Sequence, residues 1–231
     1  MLKIEQLTKN FGQQKALKGI DLEVRPGEIF CLLGANGAGK STTINILLGF
    51  TKPDGGRATL SGNDLLNEPG KAKSQLAYIP EIVMLYPLLS GIENLEFFSK
   101  LAGFHYKQEK LREFLLKSGL QVDAHHQLVG GYSKGMRQKV GISIALAKEA
   151  ALLIMDEPTS GLDPRAVEEF STQVKHFAGT GGAVLMATHD LFNAVAIGTH
   201  LGIMRRGELV HTLQAKDISA GDLQKLYLET I

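Results

Sequence analysis

The segment Gly34-Ala35-Asn36-Gly37-Ala38-Gly39-Lys40-Ser41 constrains this chain more than any other stretch. It matches G-x-x-x-x-G-K-[ST]. It lies between an apolar run, Ile29-Phe30-Cys31-Leu32-Leu33, and a helical pattern over 41–50 with Ile44, Leu47 and Leu48 as its apolar residues. Glycines let a backbone curl so that several N–H groups point at one anion. The start of the following helix adds its dipole, Lys40 adds a point charge for the β- and γ-phosphates, and the Ser41 hydroxyl can ligate Mg2+. Strand, loop and helix in this order imply a nucleotide phosphate site on a parallel sheet.

The flanking sequence is read to match. Short alternating strands are expected at 2–7 and 16–24, then a turn at Arg25-Pro26-Gly27-Glu28, a strand over 29–33, and further strands at 56–62 and 76–79, the last ending at Pro80. The middle differs. Ser90 with Glu93 forms a capping-box pattern opening a helix through Leu101, with Gly103 just beyond it. A second helix over 107–118 carries Leu111, Phe114 and Leu115 on one face and ends at Gly119, and Ser133 caps a third through Lys148. Strand–helix alternation then resumes: a strand at 151–155, a helix opened by Asp163-Pro164, a strand at 183–187, a short helix after Asp190, and a hairpin turn at Arg205-Arg206-Gly207-Glu208. The expectation is one α/β domain over 1–231, a P-loop NTPase core with a mostly parallel sheet. Residues 1–86 and 149–231 form the core with an N-terminal antiparallel β portion, and 87–148 form an inserted helical subdomain.

The run Ala151-Leu152-Leu153-Ile154-Met155 ends in Asp156-Glu157. Two carboxylates at the tip of a buried strand are costly unless a cation or donors stand near. The carboxyl end of a parallel strand is also where the ligand crevice lies. Asp156 is therefore the natural Mg2+ partner, directly or through water. Glu157 is placed to polarise an attacking water, a general-base effect typically worth about 10²–10⁴ in rate.

Composition narrows the setting. Hydrophobic residues make up 44% of 231 and the formal net charge is +1, so a packed protein is expected and charge gives no ground for general nucleic-acid binding. The single cysteine, Cys31, has no internal disulfide partner and belongs to the buried strand pattern. No run approaches the roughly 18 apolar residues of a membrane span; the stretch 145–155 is broken by Lys148 and Glu149. The start, Met1-Leu2-Lys3-Ile4-Glu5-Gln6, alternates like a strand and lacks a signal-peptide apolar region. A cytoplasmic protein is expected, with any membrane role supplied by a partner.

Beyond these elements the chain resembles the ABC-type ATPases along nearly all its length. Gly34 to Thr42 is similar to the family's Walker A segment, taking in Asn36, Ala38 and Thr42. Leu153-Ile154-Met155-Asp156-Glu157-Pro158-Thr159-Ser160-Gly161-Leu162-Asp163-Pro164 resembles its Walker B and D-loop. Tyr132-Ser133-Lys134-Gly135-Met136-Arg137-Gln138 looks like the signature sequence, and Thr188-His189-Asp190 like the switch-histidine segment. The resemblance implies ATP hydrolysis with Mg2+ and two subunits closing head to tail, the Walker A of one facing the signature of the other. Ser133 and the backbone at Gly135 would then touch the γ-phosphate across the interface, Ser133 serving also as a helix cap. It further implies that His189 bonds the γ-phosphate or attacking water, and that Phe11, in Asn10-Phe11-Gly12, stacks on adenine; ordinary core packing is the alternative for Phe11.

Two positions depart from the family pattern. Where a Q-loop glutamine is usual, Glu81 follows Tyr78-Ile79-Pro80, and its carboxylate stands as a candidate Mg2+ ligand. The signature carries Lys134 and Met136 where glycine and often glutamine occur, so Lys134 adds attraction toward the phosphates or a partner chain. With Leu85-Tyr86-Pro87-Leu88-Leu89-Ser90-Gly91, these segments resemble ABC-2-type exporter ATPases and, within them, the NosF type that accompanies maturation of the copper enzyme nitrous-oxide reductase. The implied protein is a transport ATPase held on the inner face of the cell membrane by a separate transmembrane permease, paired with a second ATPase subunit as a homodimer. The alternative is a soluble ATPase of the same family acting in translation or chromosome maintenance. It fits less well, because such factors carry two ATPase units or long coiled coils, and this chain has one unit and no sustained heptads. A catalytically silent regulatory subunit is disfavoured by the presence of Lys40, Asp156, Glu157 and His189.

Overall fold

The computed structural model describes residues 1–231, the side chain of Pro69 excepted. In chain order the strands and α-helices are β1 (Leu2–Phe11), β2 (Gln14–Val24), β3 (Ile29–Leu33), α1 (Lys40–Leu47), β4 (Gly55–Leu60), β5 (Asn63–Asp64), α2 (Pro69–Ser74), β6 (Leu76–Ile79), α3 (Gly91–Leu101), α4 (Gln108–Lys117), α5 (Lys134–Ala147), β7 (Leu152–Asp156), α6 (Pro164–Gly179), β8 (Ala183–Thr188), α7 (Leu191–Ile197), β9 (His200–Arg205), β10 (Glu208–Gln214) and α8 (Ala220–Thr230).

Six strands form the main sheet in the order β10-β9-β3-β8-β7-β6. Every pairing is parallel except β10 against β9. Strands β3 and β8 are buried along their whole length, which is why their sequences read as unbroken apolar runs: helices or strands cover both faces of a parallel sheet. The two-residue side-chain period sorts each run onto two cores. Phe30, Leu32, Leu152, Ile154, Leu185 and Ala187 join the core shared with α1 and the smaller sheet. Ile29, Cys31, Leu33, Leu153, Met155, Val184 and Met186 join the core under α5, α6 and α7. Burial pushes the Cys31 thiol up to about 12, as expected of a packing cysteine rather than a reactive one.

The smaller sheet is antiparallel, in the order β2-β1-β4-β5. Leu2, Ile4 and Leu7 of β1 are all buried, so the inward phase slips by one residue after Ile4. A register shift between Ile4 and Leu7 and a left-handed Gln6, φ 49°, absorb the slip, and the Gln6 amide finds the Asp21 carboxylate at 2.8 Å. Strand β1 runs past the expected 2–7 because Asn10 and Phe11 still pair with Lys15 and Gln14, which carries Phe11 to the hairpin tip.

Helices α3, α4 and α5 lie between β6 and β7 in the chain and enclose a third apolar cluster that includes Leu95, Leu111, Leu115 and Val140. The Ser90–Glu93 box is made in both directions, satisfying free amides at the start of α3. Helix α5 also faces the main sheet through Ile142 and Ala145, and Gly141 lets it approach β6, where a Cβ would stand 3.4 Å from Ile79. Helices α2 and α8 and the full extent of β9 and β10 had no counterpart among the sequence expectations.

Candidate functional site

The loop after β3 is built by exclusion. A Cβ on Gly34 would stand 2.6 Å from the Met204 carbonyl oxygen, so the chain passes β9 only without a side chain. The β9–β10 turn braces the loop from outside, with the Gly207 amide donating to the Ala38 carbonyl at 2.9 Å. Gly39 takes φ 112° and serves as N-cap of α1, whose start has no side-chain cap and no acidic residue in its first turn. Amides at that terminus are therefore left for an anion. Lys40 is buried beneath the loop and holds it in shape, its Nζ donating to the Gly34 carbonyl at 2.6 Å and the Ala35 carbonyl at 3.4 Å. Burial holds this ammonium below its ordinary pKa, opposed by the charges of Glu157 and Asp156.

In front of the loop is a cleft of about 180 Å³ lined by Phe11, Gln14, Ala16, Ala35, Asn36, Gly37, Ala38, Gly39, Lys40, Ser41 and Thr42. Phe11 is 52% exposed, so it is not core, and the Lys9 ammonium lies 5.3 Å from its ring centroid. The antiparallel sheet thus delivers an aromatic face to the same cleft as the phosphate loop.

Asp156 ends β7, half-buried. Burial raises its pKa, the neighbouring Ser41 hydroxyl and the Lys40 charge pull in the opposite sense, and the Glu81 charge adds to the rise. Glu157 is left-handed, φ 47°, an uncommon conformation for a side-chain-bearing residue. Its amide still reaches across to the Ala187 carbonyl of β8 at 2.9 Å, while its carboxylate turns to His189: Oε2 stands 2.8 Å from Nδ1 and accepts from the His189 amide at 3.3 Å. Lys40, Asp156, Glu157 and His189 are thereby gathered at the carboxyl ends of adjacent or near-adjacent strands. His189 is engaged by the acid itself.

The remaining candidates form a second group. Ser133 caps α5, accepting from the Met136 amide at 3.2 Å, and Gly135 sits where a Cβ would come within 3.5 Å of Ala166. Among the described residues, neither bonds to 34–42 nor lines the Phe11 cleft. The Glu81 carboxylate accepts from the Ser160 hydroxyl at 3.0 Å and stands 3.9 Å from the Lys134 ammonium, which itself donates to the Ser160 carbonyl at 2.5 Å. Lys134 and Glu81 are therefore engaged with each other in the same subunit. Gln138 is fully buried and its amide nitrogen spans the carbonyls of Pro158 at 3.1 Å and Glu81 at 3.3 Å.

Sequence reasoning passed over Tyr227 of α8, a half-buried phenol held above its ordinary pKa by burial first and then by the charge of Glu157. A lone tyrosine in an amphipathic terminal helix gives no local signal of that neighbourhood.

A backbone cradle over a buried lysine, faced by a carboxylate beside the helix-start hydroxyl and by a second carboxylate paired with histidine, defines a P-loop nucleotide hydrolase. Its particular kind follows from comparison with known proteins: the family model described as ABC transporter matches residues 17–160, and the chain belongs to that family. It is 36% identical over 212 residues to the linearmycin resistance ATP-binding protein LnrL of Bacillus subtilis, covering 91% of this chain and 68% of that one. It is 35% identical over 214 residues to the bacitracin transport ATP-binding protein BcrA of Bacillus licheniformis, covering 92% and 69%. A solved ATP-binding subunit of an ABC transporter superposes with a TM-score of 0.85 at 31% identity, covering 100% of this chain and 99% of that one. A bacterial ABC transporter cassette solved as a dimer superposes with a TM-score of 0.79 at 26% identity, covering 93% and 99%. The chain is an ATP-binding, ATP-hydrolysing subunit of this family. Among the described residues no helix is long and apolar enough to cross a membrane.

Proposed function

We propose that this chain is the ATPase motor of an ABC-2-type exporter, coupling ATP-driven closure of two such subunits to a separate permease that holds it on the cytoplasmic face of the membrane. The contact between Glu157 and His189 supports the catalytic part of this reading, because it holds in one orientation a carboxylate whose charge acts on Lys40. Relatives named for antibiotic transport and resistance support export.

In this reading the cradle amides and Lys40 hold the β- and γ-phosphates, Phe11 stacks on adenine, and Glu157 takes a proton from the attacking water while His189 fixes its carboxylate. Ser41 and Asp156 fit a magnesium ion: they are a hydroxyl and a half-buried carboxylate beside each other, with the anionic form opposed by burial and by Glu81. The ion supplies charge neutralisation on the phosphate oxygens. Glu81 joins it only by leaving Ser160 and Lys134. Ser133 and Gly135, which neither bond to nor line the cradle of their own chain, complete the site of a second copy. Residues 87–148 act as a helical subdomain turning against the 1–86 and 149–231 core.

The permease is assigned to a groove of about 400 Å³ between β6 and α5, whose lining includes Phe50, Pro80, Val83, Met84, Phe98 and Ile144. Phe50 and Met84 are 73% and 78% exposed, an apolar rim suited to a partner helix. Steady-state ATP turnover of the purified chain, together with its recovery from membranes with and without a co-expressed polytopic partner, tests the proposal. Turnover that depends on Glu157 and a stable membrane complex are expected. An inactive wild type, or a stable complex with ribosomes or DNA, overturns it.

A further inference from the structure

Two residues that depart from the family pattern, Glu81 and Lys134, are brought together by the fold from different segments. Lys134 opens α5, Glu81 follows β6, and Ser160 follows β7. The Lys134 ammonium donates to the Ser160 carbonyl at 2.5 Å and stands 3.9 Å from Glu81, whose carboxylate accepts from the Ser160 hydroxyl at 3.0 Å. One helical turn further on, the buried Gln138 nitrogen spans the Pro158 and Glu81 carbonyls. The start of α5 is thus tied at two levels to the same pair of loops.

We infer that Lys134 and Glu81 form a positioning pair that sets the angle of the α5 N-terminus, and with it Ser133 and Gly135, against the catalytic core of the same subunit. The charges are complementary and local. Each corrects what the other would leave: without Lys134, Glu81 is an anion near Asp156 held only by the Ser160 hydroxyl, and without Glu81, Lys134 keeps only the Ser160 carbonyl. A glycine at 134 would offer no side chain to this corner, and a glutamine at 81 no charge. The loop after β6 also borders the apolar groove through Pro80, Val83 and Met84, so the pair links that surface to the loop after β7 that follows Glu157. This inference rests on the ATPase reading for its kinetic arm only.

A double-mutant cycle of Glu81→Gln and Lys134→Met decides it. Each single variant is expected to lower kcat about three- to tenfold, the range for losing a part-exposed ion pair, with the KM for ATP changed less than about twofold. The double variant should fall no further than the worse single, since both remove one shared interaction. In the nucleotide-free protein, amide hydrogen exchange at 159–161 should quicken in both singles, and more in Lys134→Met, which also loses the bond to the Ser160 carbonyl. Multiplicative losses in the cycle, or unchanged exchange in Glu81→Gln, overturn the pair. A rise of about tenfold in the Mg2+ concentration for half-maximal rate in Glu81→Gln, with none in Lys134→Met, also overturns it and makes Glu81 a metal ligand. If wild type hydrolyses no ATP, the function reading fails while the exchange result still judges the pair.

Discussion

Replacing Gly39 by alanine tests how far the phosphate cradle depends on backbone passing close to backbone. The residue holds φ 112°, and a Cβ there would meet Leu17 Cδ2 at 2.9 Å, the Ala16 carbonyl oxygen at 3.0 Å and Met204 Cε at 3.0 Å. The methionine end can swing away, but the Ala16 carbonyl belongs to β2 and cannot retreat alone. The left-handed dihedral costs an L-residue about 1 kcal/mol, and forcing a methyl into a filled site costs about 1–3 kcal/mol more. The sum, about 2–4 kcal/mol, lowers the melting temperature of a chain this size by about 5–15 °C. Gly37→Ala is the internal control: its φ is also positive, at 81°, yet nothing lies within 4 Å of the added methyl. It should cost only the dihedral, about 1 kcal/mol or about 2–4 °C. Thermal melts without nucleotide read stability, and titration with a fluorescent ATP analogue reads the cradle. Because the capping residue of α1 must shift, Gly39→Ala should also weaken nucleotide binding by at least about tenfold, equivalent to about 1.4 kcal/mol. Equal melting shifts in the two variants would refute the argument, since the dihedral alone would then explain both.

Other outcomes follow from the same site. Glu157→Gln should lower kcat by about 10²–10⁴ while ATP affinity persists and the melting temperature moves little, because its partner His189 is largely exposed; comparable losses in binding and turnover would remove Glu157 from the general-base role. Asp156→Asn should abolish Mg2+-dependent turnover yet stabilise the nucleotide-free protein at neutral pH. Burial raises the Asp156 pKa above 3.8, so wild type suffers no penalty when the group is protonated in both states. It loses stability relative to the variant as pH rises from 3.8 through the raised value. A pH-independent difference between the two in denaturant melts contradicts this. Met84→Glu, at an exposed position on the apolar groove, should leave stability within about 0.5 kcal/mol and abolish co-purification with the permease; retained association would move the docking surface elsewhere.

Much of the main sheet was legible because parallel strands buried on both faces write themselves as unbroken apolar runs, and the phosphate loop because its glycines and lysine sit in fixed order between such a run and a helix. The site was legible only as fragments. Nothing local announces that Glu157 turns back onto His189 or that Asp156 lies beside Ser41, because those placements depend on strand order rather than spacing. The Lys134–Glu81 pairing was invisible for the same reason: each residue was noticed as a departure from a pattern, and only the approach of α5 to β6 shows that the two departures are one. The slip in β1 was missed because a bulge breaks the two-residue alternation on which strand reading relies. Helix α8 buries little beyond Leu223 and Thr230, leaving a weak pattern.

Strand β8 separates β3 from β7, and it is buried from end to end. With neighbouring strands about 4.8 Å apart, the phosphate cradle and the acid pair spring from strands whose axes lie roughly 10 Å from each other. No spring or flexible tether sets that width; the innermost ribbon of the molecule does. Heat or denaturant should therefore abolish hydrolysis and collapse the fold in one transition, with no intermediate that keeps its shape but has lost its chemistry.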